Sequence, residues 1–121
     1  MKKLTYAEEQ IMQILWNMEK AFVKEIIEQM PEPKPAYNTV STIIRILEKK
    51  GVVDHFAFGK THQYYPLMAR EEYARSHYKL FMKDYFGNSF KQMVSFFAQE
   101  EKLSTNELEE LLDQIKSNET K

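Results

Sequence analysis

Hydrophobic positions in this chain recur first at helical spacing, then at the two-residue spacing of strands, then at helical spacing again. Ile11, Met12, Leu15, Trp16 and Met18 form an apolar stripe behind Thr5-Tyr6-Ala7-Glu8, a capping-box pattern that opens a helix. After a polar break at Asn17 to Lys20, Val23, Ile26, Ile27 and Met30 again have helical spacing. The run PEPKP from Pro31 cannot continue a helix and makes a stiff turn.

A third helix is predicted over Tyr37 to Lys50, closed by Gly51 as a left-handed cap. Its Val40, Ile43, Ile44 and Leu47 share one narrow apolar face. Asn38, Thr42, Arg45 and Lys49 share the opposite face, with Ser41 beside them and the one acid, Glu48, on the flank. Short hydrogen-bonding side chains and cations without carboxylates suit a helix that enters a DNA major groove. A surface helix short of acids is the plainer alternative.

Val52 to Phe58 and Thr61 to Tyr65 are rich in aromatic and β-branched residues around Gly59-Lys60, and predict a hairpin. A hairpin directly after a helix-turn-helix is the wing of a winged helix, and its tip carries Lys60, Thr61 and His62. From Met68 the pattern is helical. One helix covers Arg70 to Phe86, broken by Gly87. A second is capped by Asn88 or Ser89, and a third is opened by Ser104 and Glu107 with Leu103 and Leu108 as a hydrophobic staple. The closing SNETK is expected to fray. The fold expected is therefore mainly α with a small β-hairpin: a winged helix-turn-helix domain over 1–67, then a three-helix domain over 68–121.

Those last helices carry more apolar groups than about fifty residues can cover. Tyr78, Phe81, Tyr85, Phe90, Met93, Val94, Phe97, Leu108, Leu111, Leu112 and Ile115 are the expected dimerisation surface. A two-fold dimer would present two readers to a palindromic site. The alternative is a monomer whose aromatics fold back on the winged helix.

Composition and charge sharpen this picture. With 43% hydrophobic residues the chain can bury a real core, and the absence of cysteine removes disulfides and thiolate chemistry. No apolar run spans a membrane and no signal peptide is recognisable, so a cytoplasmic location is expected without membrane insertion. Pro33 to Pro66 carries five cations against two acids, whereas Glu100 to Lys121 carries three against seven. Only the first segment suits a polyanion. Phosphate contacts are expected from Lys49, Lys60, Thr39, Thr42 and the helix start at Tyr37; base reading is expected from Asn38, Ser41, Thr42 and Arg45. His55, His62 and His77 share no metal-ligand spacing, and three glycines leave no phosphate loop, so neither metal, cofactor nor enzyme activity is expected. A protein–protein assembly module and a small-molecule-responsive repressor remain the competing readings.

The stretches LTYAEEQIMQILW, YNTVSTIIRILEKKGVV, GKTHQYYPLMAREEY and EEKLSTNELEELLDQI span nearly the whole chain. In combination and order they resemble the BlaI/MecI/CopY family of bacterial winged-helix repressors. The resemblance implies a homodimer held through its C-terminal helices on double-stranded operator DNA. In the β-lactam branch it also implies a membrane sensor of the BlaR/MecR type, whose signal leads to cleavage of the repressor. The position cut at an Asn-Phe pair in the better-known repressors is Phe96-Phe97 here. The copper branch binds metal through a Cys-x-Cys pair, and this chain has no cysteine. Arg45 stands one place before the arginine typical of that helix, with Ile46 in its position.

Overall fold

A computed structural model of the chain describes residues 3–119. The elements run α1 (Tyr6–Met18), β1 (Ala21–Phe22), α2 (Val23–Glu28), α3 (Tyr37–Lys49), β2 (Val53–Phe58), β3 (Thr61–Pro66), α4 (Arg70–Phe86), α5 (Phe90–Glu100) and α6 (Thr105–Glu119). Internal contacts divide them into two compact units, Met1–His77 and Tyr78–Lys121. The division falls inside α4, further along the chain than the boundary after Leu67 read from sequence. Tyr73 explains why: it is buried with the first unit's core and its ring lies 5.9 Å from that of Trp16.

The first unit is a winged helix. Thr5 and Glu8 close the capping box of α1, with Thr5 N–H donating to the Glu8 carboxylate at 2.7 Å and Glu8 N–H to the Thr5 hydroxyl at 3.2 Å. Ile11, Met12 and Leu15 from α1 meet Ile26 from α2 and Val40, Ile44 and Leu47 from α3 in the core, all at most 1% exposed. Each such side chain stabilises the fold by about 1.5–3 kcal/mol relative to exposure, which fixes α3 from behind. Trp16 packs on this core and donates its indole N–H to the Met68 carbonyl at 2.8 Å.

The sheet has three antiparallel strands in the order β1-β3-β2, one more than the hairpin alone. Ala21 pairs with Tyr64 and Phe22 with Gln63, so the two residues just before the helical run that starts at Val23 join the sheet. The hairpin pairs Val53 with Pro66 through Phe58 with Thr61, leaving Gly59-Lys60 as a two-residue loop. Gly59 has φ 61°, a conformation glycine adopts without strain at the first position of such a loop.

The second unit holds the rest of α4 with α5 and α6. Ser89 caps α5 by accepting from Gln92 N–H at 3.2 Å, and Ser104 accepts from Glu107 N–H at 3.1 Å. Phe81, Phe86, Phe96 and Phe97 form an aromatic cluster with ring centres 5.4–6.1 Å apart. No residue of α5 or α6 is buried. The SNETK segment is helical as far as Glu119, and its last two residues lie outside the described range. Among the described residues no helix is long and apolar enough to cross a membrane.

Candidate nucleic-acid interface

The exposed face of α3 is set by how the helix ends. Lys50 is the C-cap and Gly51, at φ 78°, follows it. Val52 N–H reaches the Leu47 carbonyl and Gly51 N–H the Glu48 carbonyl, both at 3.0 Å. This is the paired bonding of a Schellman motif, with Val52 and Leu47 both buried beneath it. The helix is thereby stopped and the chain turned into β2. At the other end Ala36 provides no side-chain cap and the first turn has no acid, so the positive end of the helix dipole is left uncompensated.

Between these ends Asn38, Thr39, Thr42, Arg45 and Lys49 are exposed and Ser41 is half-buried. Ile43, expected on the inner face, is only partly buried but packs on the core. Thr42 donates its hydroxyl to the Asn38 carbonyl at 2.8 Å. Arg45 folds back along its own helix, donating Nε to the Ser41 carbonyl at 3.3 Å and a terminal nitrogen to the Ser41 hydroxyl at 3.4 Å. Those bonds lie along an exposed face, where exchange for a ligand's acceptors costs little. Ile46 is 43% exposed beside Arg45.

The structure brings the helix and the wing tip together. Tyr37, Asn38, Ser41 and Arg45 share the lining of an open hollow of about 580 Å³ with Lys60, Thr61 and His62. Thr39, Thr42 and Lys49 lie outside it. Phe22, Val23, Lys24, Glu25 and Tyr64 also line the hollow, and nothing local in the sequence marked them. They arrive there because β1 joins the sheet beside β3. His62 stacks on His55 with ring centres 3.9 Å apart and planes 8° from parallel, so the two histidines on opposite strands are neighbours on one face.

The charges of the basic segment are not all free. Lys34 donates to the carbonyls of Ile27, Glu28 and Met30 at 2.6–3.3 Å and so terminates α2. Lys50 pairs with Glu8 at 2.8 Å. Arg45, Lys49 and Lys60 are left facing solvent, and these belong to the α3 face and the wing tip. The acid on the flank, Glu48, lies 2.7 Å from His55 Nδ1. Burial, with Glu48 nearby, pushes the Tyr64 hydroxyl on the lining of the hollow above its usual 10 despite the opposing pull of Arg45.

In the second unit Tyr78, Phe81, Tyr85, Phe90, Phe97, Leu111, Leu112 and Ile115 are exposed, and Met93, Val94 and Leu108 are half-buried. Phe96, beside Phe97 within α5, is also exposed. An apolar groove of about 540 Å³ runs between α5 and α6, lined by Phe90, Val94, Ala98, Leu103 and Leu108.

The sequence profile of the penicillinase repressor family matches residues 4–117. The chain is similar to the methicillin resistance regulatory protein MecI of Staphylococcus aureus (strain N315), at 32% identity over 110 residues, covering 90% of this chain and 89% of that one. It is also similar to a penicillinase repressor of Staphylococcus aureus, at 26% identity over 112 residues and 92% and 89% coverage. Among solved structures, the DNA-binding domain of the repressor BlaI superposes with a TM-score of 0.52 at 26% identity, covering 60% of this chain and 94% of that one.

Proposed function

This chain belongs to the penicillinase repressor family, and on that premise we propose that it is a dimeric transcriptional repressor occupying a palindromic operator upstream of β-lactam resistance genes. The observation that carries this reading is the acid-free outer strip of α3 beside the wing tip. Asn38, Arg45 and Lys60 border one hollow, and the exposed cations of this face contrast with Lys34 and Lys50, which are held by helix carbonyls and by Glu8. Lys60, Lys49 and the uncapped start of α3 hold phosphates; Thr39, Thr61 and His62 add further polar contacts; Asn38, Ser41, Thr42 and Arg45 read bases.

Two-fold pairing is supported by the second unit's physics. Helices with no buried residue of their own and a row of exposed aromatic and aliphatic side chains are stable when another copy covers them. A dimer places two α3 helices on two half-sites, and their joint binding exceeds either alone. Any event that separates the copies therefore releases DNA. A proteolytic cut at or near Phe96-Phe97, triggered by a BlaR/MecR-like membrane sensor, would do so by severing α5.

An electrophoretic mobility shift of the full chain on the DNA upstream of its own coding sequence tests the reading. A retarded band that survives excess unrelated duplex is expected. Retardation abolished equally by any competitor would refute it.

A further inference from the structure

We propose that Glu48, Asp54 and His55 form a binding site for a divalent transition-metal ion of the zinc class, at the joint between α3 and the wing. The three residues come from two elements: Glu48 from the last turn of α3, and Asp54 with His55 from the start of β2. Oε1 of Glu48, a carboxylate oxygen of Asp54 and a ring nitrogen of His55 all lie within 4.8 Å of one another. Nδ1 of His55 is 2.7 Å from Glu48 Oε1 and 4.0 Å from Asp54 Oδ1. Ligands about 2.0–2.2 Å from a tetrahedral zinc stand roughly 3.4 Å from each other. Side-chain movements on the order of 1 Å convert the observed set into a coordinating one.

The charge arrangement calls for a cation. Two carboxylates face one ring nitrogen, His55 Nδ1, at 2.7 Å and 4.0 Å. Among the described residues no lysine or arginine pairs with either carboxylate. An ion between the three groups would relieve the repulsion between the two carboxylates. Its ligands are also held in advance. The His55 ring is clamped by stacking on His62 and leans on Tyr64 at 5.5 Å, and Asp54 accepts from the His55 backbone N–H at 2.8 Å. Side-chain exposures of 25% for His55, 30% for Glu48 and 53% for Asp54 leave the site open to ions from solvent, with water for a fourth ligand. One imidazole nitrogen and two carboxylate oxygens suit zinc(II) or manganese(II) and do not select copper(I). Occupancy would pin the end of α3 to β2 and turn the helix's one acid from a repulsive group into a neutralised one. The site itself does not depend on the DNA-binding reading.

Calorimetric titration of the full chain with zinc(II) chloride tests the assignment, with thermal melting as a second readout. One equivalent per chain and a raised melting temperature are expected. Glu48→Gln and His55→Gln should each weaken binding by about tenfold or more. His77→Gln, which alters the separate pair His77–Glu9 at 3.1 Å, should leave it unchanged. Far-ultraviolet circular dichroism checks that each variant folds, and Asp54→Asn, the most exposed of the three, serves where one does not. Absence of saturable uptake by the wild-type chain at about 100 µM zinc, retention of full affinity by His55→Gln, or loss on His77→Gln would overturn the proposal.

Discussion

Nζ of Lys50 donates to Oε1 of Glu8 at 2.8 Å, and the same oxygen accepts from Thr5 N–H at 2.7 Å. One carboxylate therefore both caps α1 and fastens the far end of α3 to it. Its side chain is 5% exposed and that of Lys50 22%, so the pair is shielded from the solvent that makes surface ion pairs weak. Glu8→Ala removes the return bond of the capping box and strands the ammonium; Lys50→Ala strands the carboxylate. Each should cost about 2–4 kcal/mol, read as a lower urea midpoint. A loss under about 0.5 kcal/mol would mean the pair behaves as an exposed one.

The same contact sets an acid limit on stability. Burial alone would raise the Glu8 carboxyl, but the hydrogen bonds from Lys50 and Thr5 outweigh it and hold the group below the ordinary 4.5. Because the folded value is the lower one, the contribution is fully present above 4.5 and is lost as pH falls through the folded value. The stability gap between wild type and Glu8→Gln should be flat near neutral pH and close on acidification below 4.5. A gap that widened in acid would reverse the sign of the shift.

Tyr73 is the corresponding alkaline group. Its hydroxyl donates to Glu9 and receives contacts from Leu4 N–H at 3.4 Å and His77 Nε2 at 2.7 Å. Burial and the Glu9 carboxylate push it up to about 12. The folded chain keeps the proton longer than the unfolded chain, so stability from this group is present below 10 and is lost as pH rises toward 12. Tyr73→Phe should cost about 1–2 kcal/mol at neutral pH, and the difference from wild type should shrink above pH 10. Denaturant titrations at several pH values measure both.

The parts of this architecture that sequence made legible are those written in local rules. Thr5 and Glu8 announce a cap, Gly51 announces a stop, and Val40, Ile44 and Leu47 announce a buried face; each depends on neighbours within one or two helical turns. β1 is different. Ala21 and Phe22 form a strand only because Tyr64 and Gln63, some forty residues later, supply hydrogen bonds, and two residues carry no period. The grouping of Glu48, Asp54 and His55 is closer in the chain, with Glu48 and His55 seven residues apart, but it joins a helix end to a strand start. Neither the helical nor the strand period places these side chains together; the turn at Gly51 between the two elements does. Lys34 and Lys50 counted as basic charge in the sequence but answer to helix carbonyls and to Glu8.

On DNA, Arg45 and Lys60 should behave differently. Arg45 lies between Ser41 and Lys49 on the strip proposed to read bases, and it must exchange its bonds to Ser41 for a guanine edge. Arg45→Ala should cost about 1–3 kcal/mol on the operator and less on random duplex. Lys60 at the loop tip is proposed to contact a DNA phosphate; Lys60→Ala should weaken both duplexes alike and lower the salt slope by about 0.9 per wing. Fluorescence anisotropy over a salt series separates the two. Equal losses on both duplexes for Arg45→Ala would make it a phosphate clamp.

Removal of residues 104–121 gives the sharpest test of how the copies are held. The first unit's core draws on α1, α2, α3, the sheet and the start of α4, and no residue of α6 contributes to it. The truncated chain should therefore keep a folded winged helix. It should nevertheless lose Leu111, Leu112 and Ile115, which are 45–55% exposed, and uncover the α5 side of the groove at Phe90 and Val94. If α6 closes the interface between copies, sedimentation will show a monomer, and operator affinity will fall by about a hundredfold or more as the second half-site contact disappears. A truncated chain that still sediments as a dimer and binds with undiminished affinity would place the pairing surface on α4 and α5 alone.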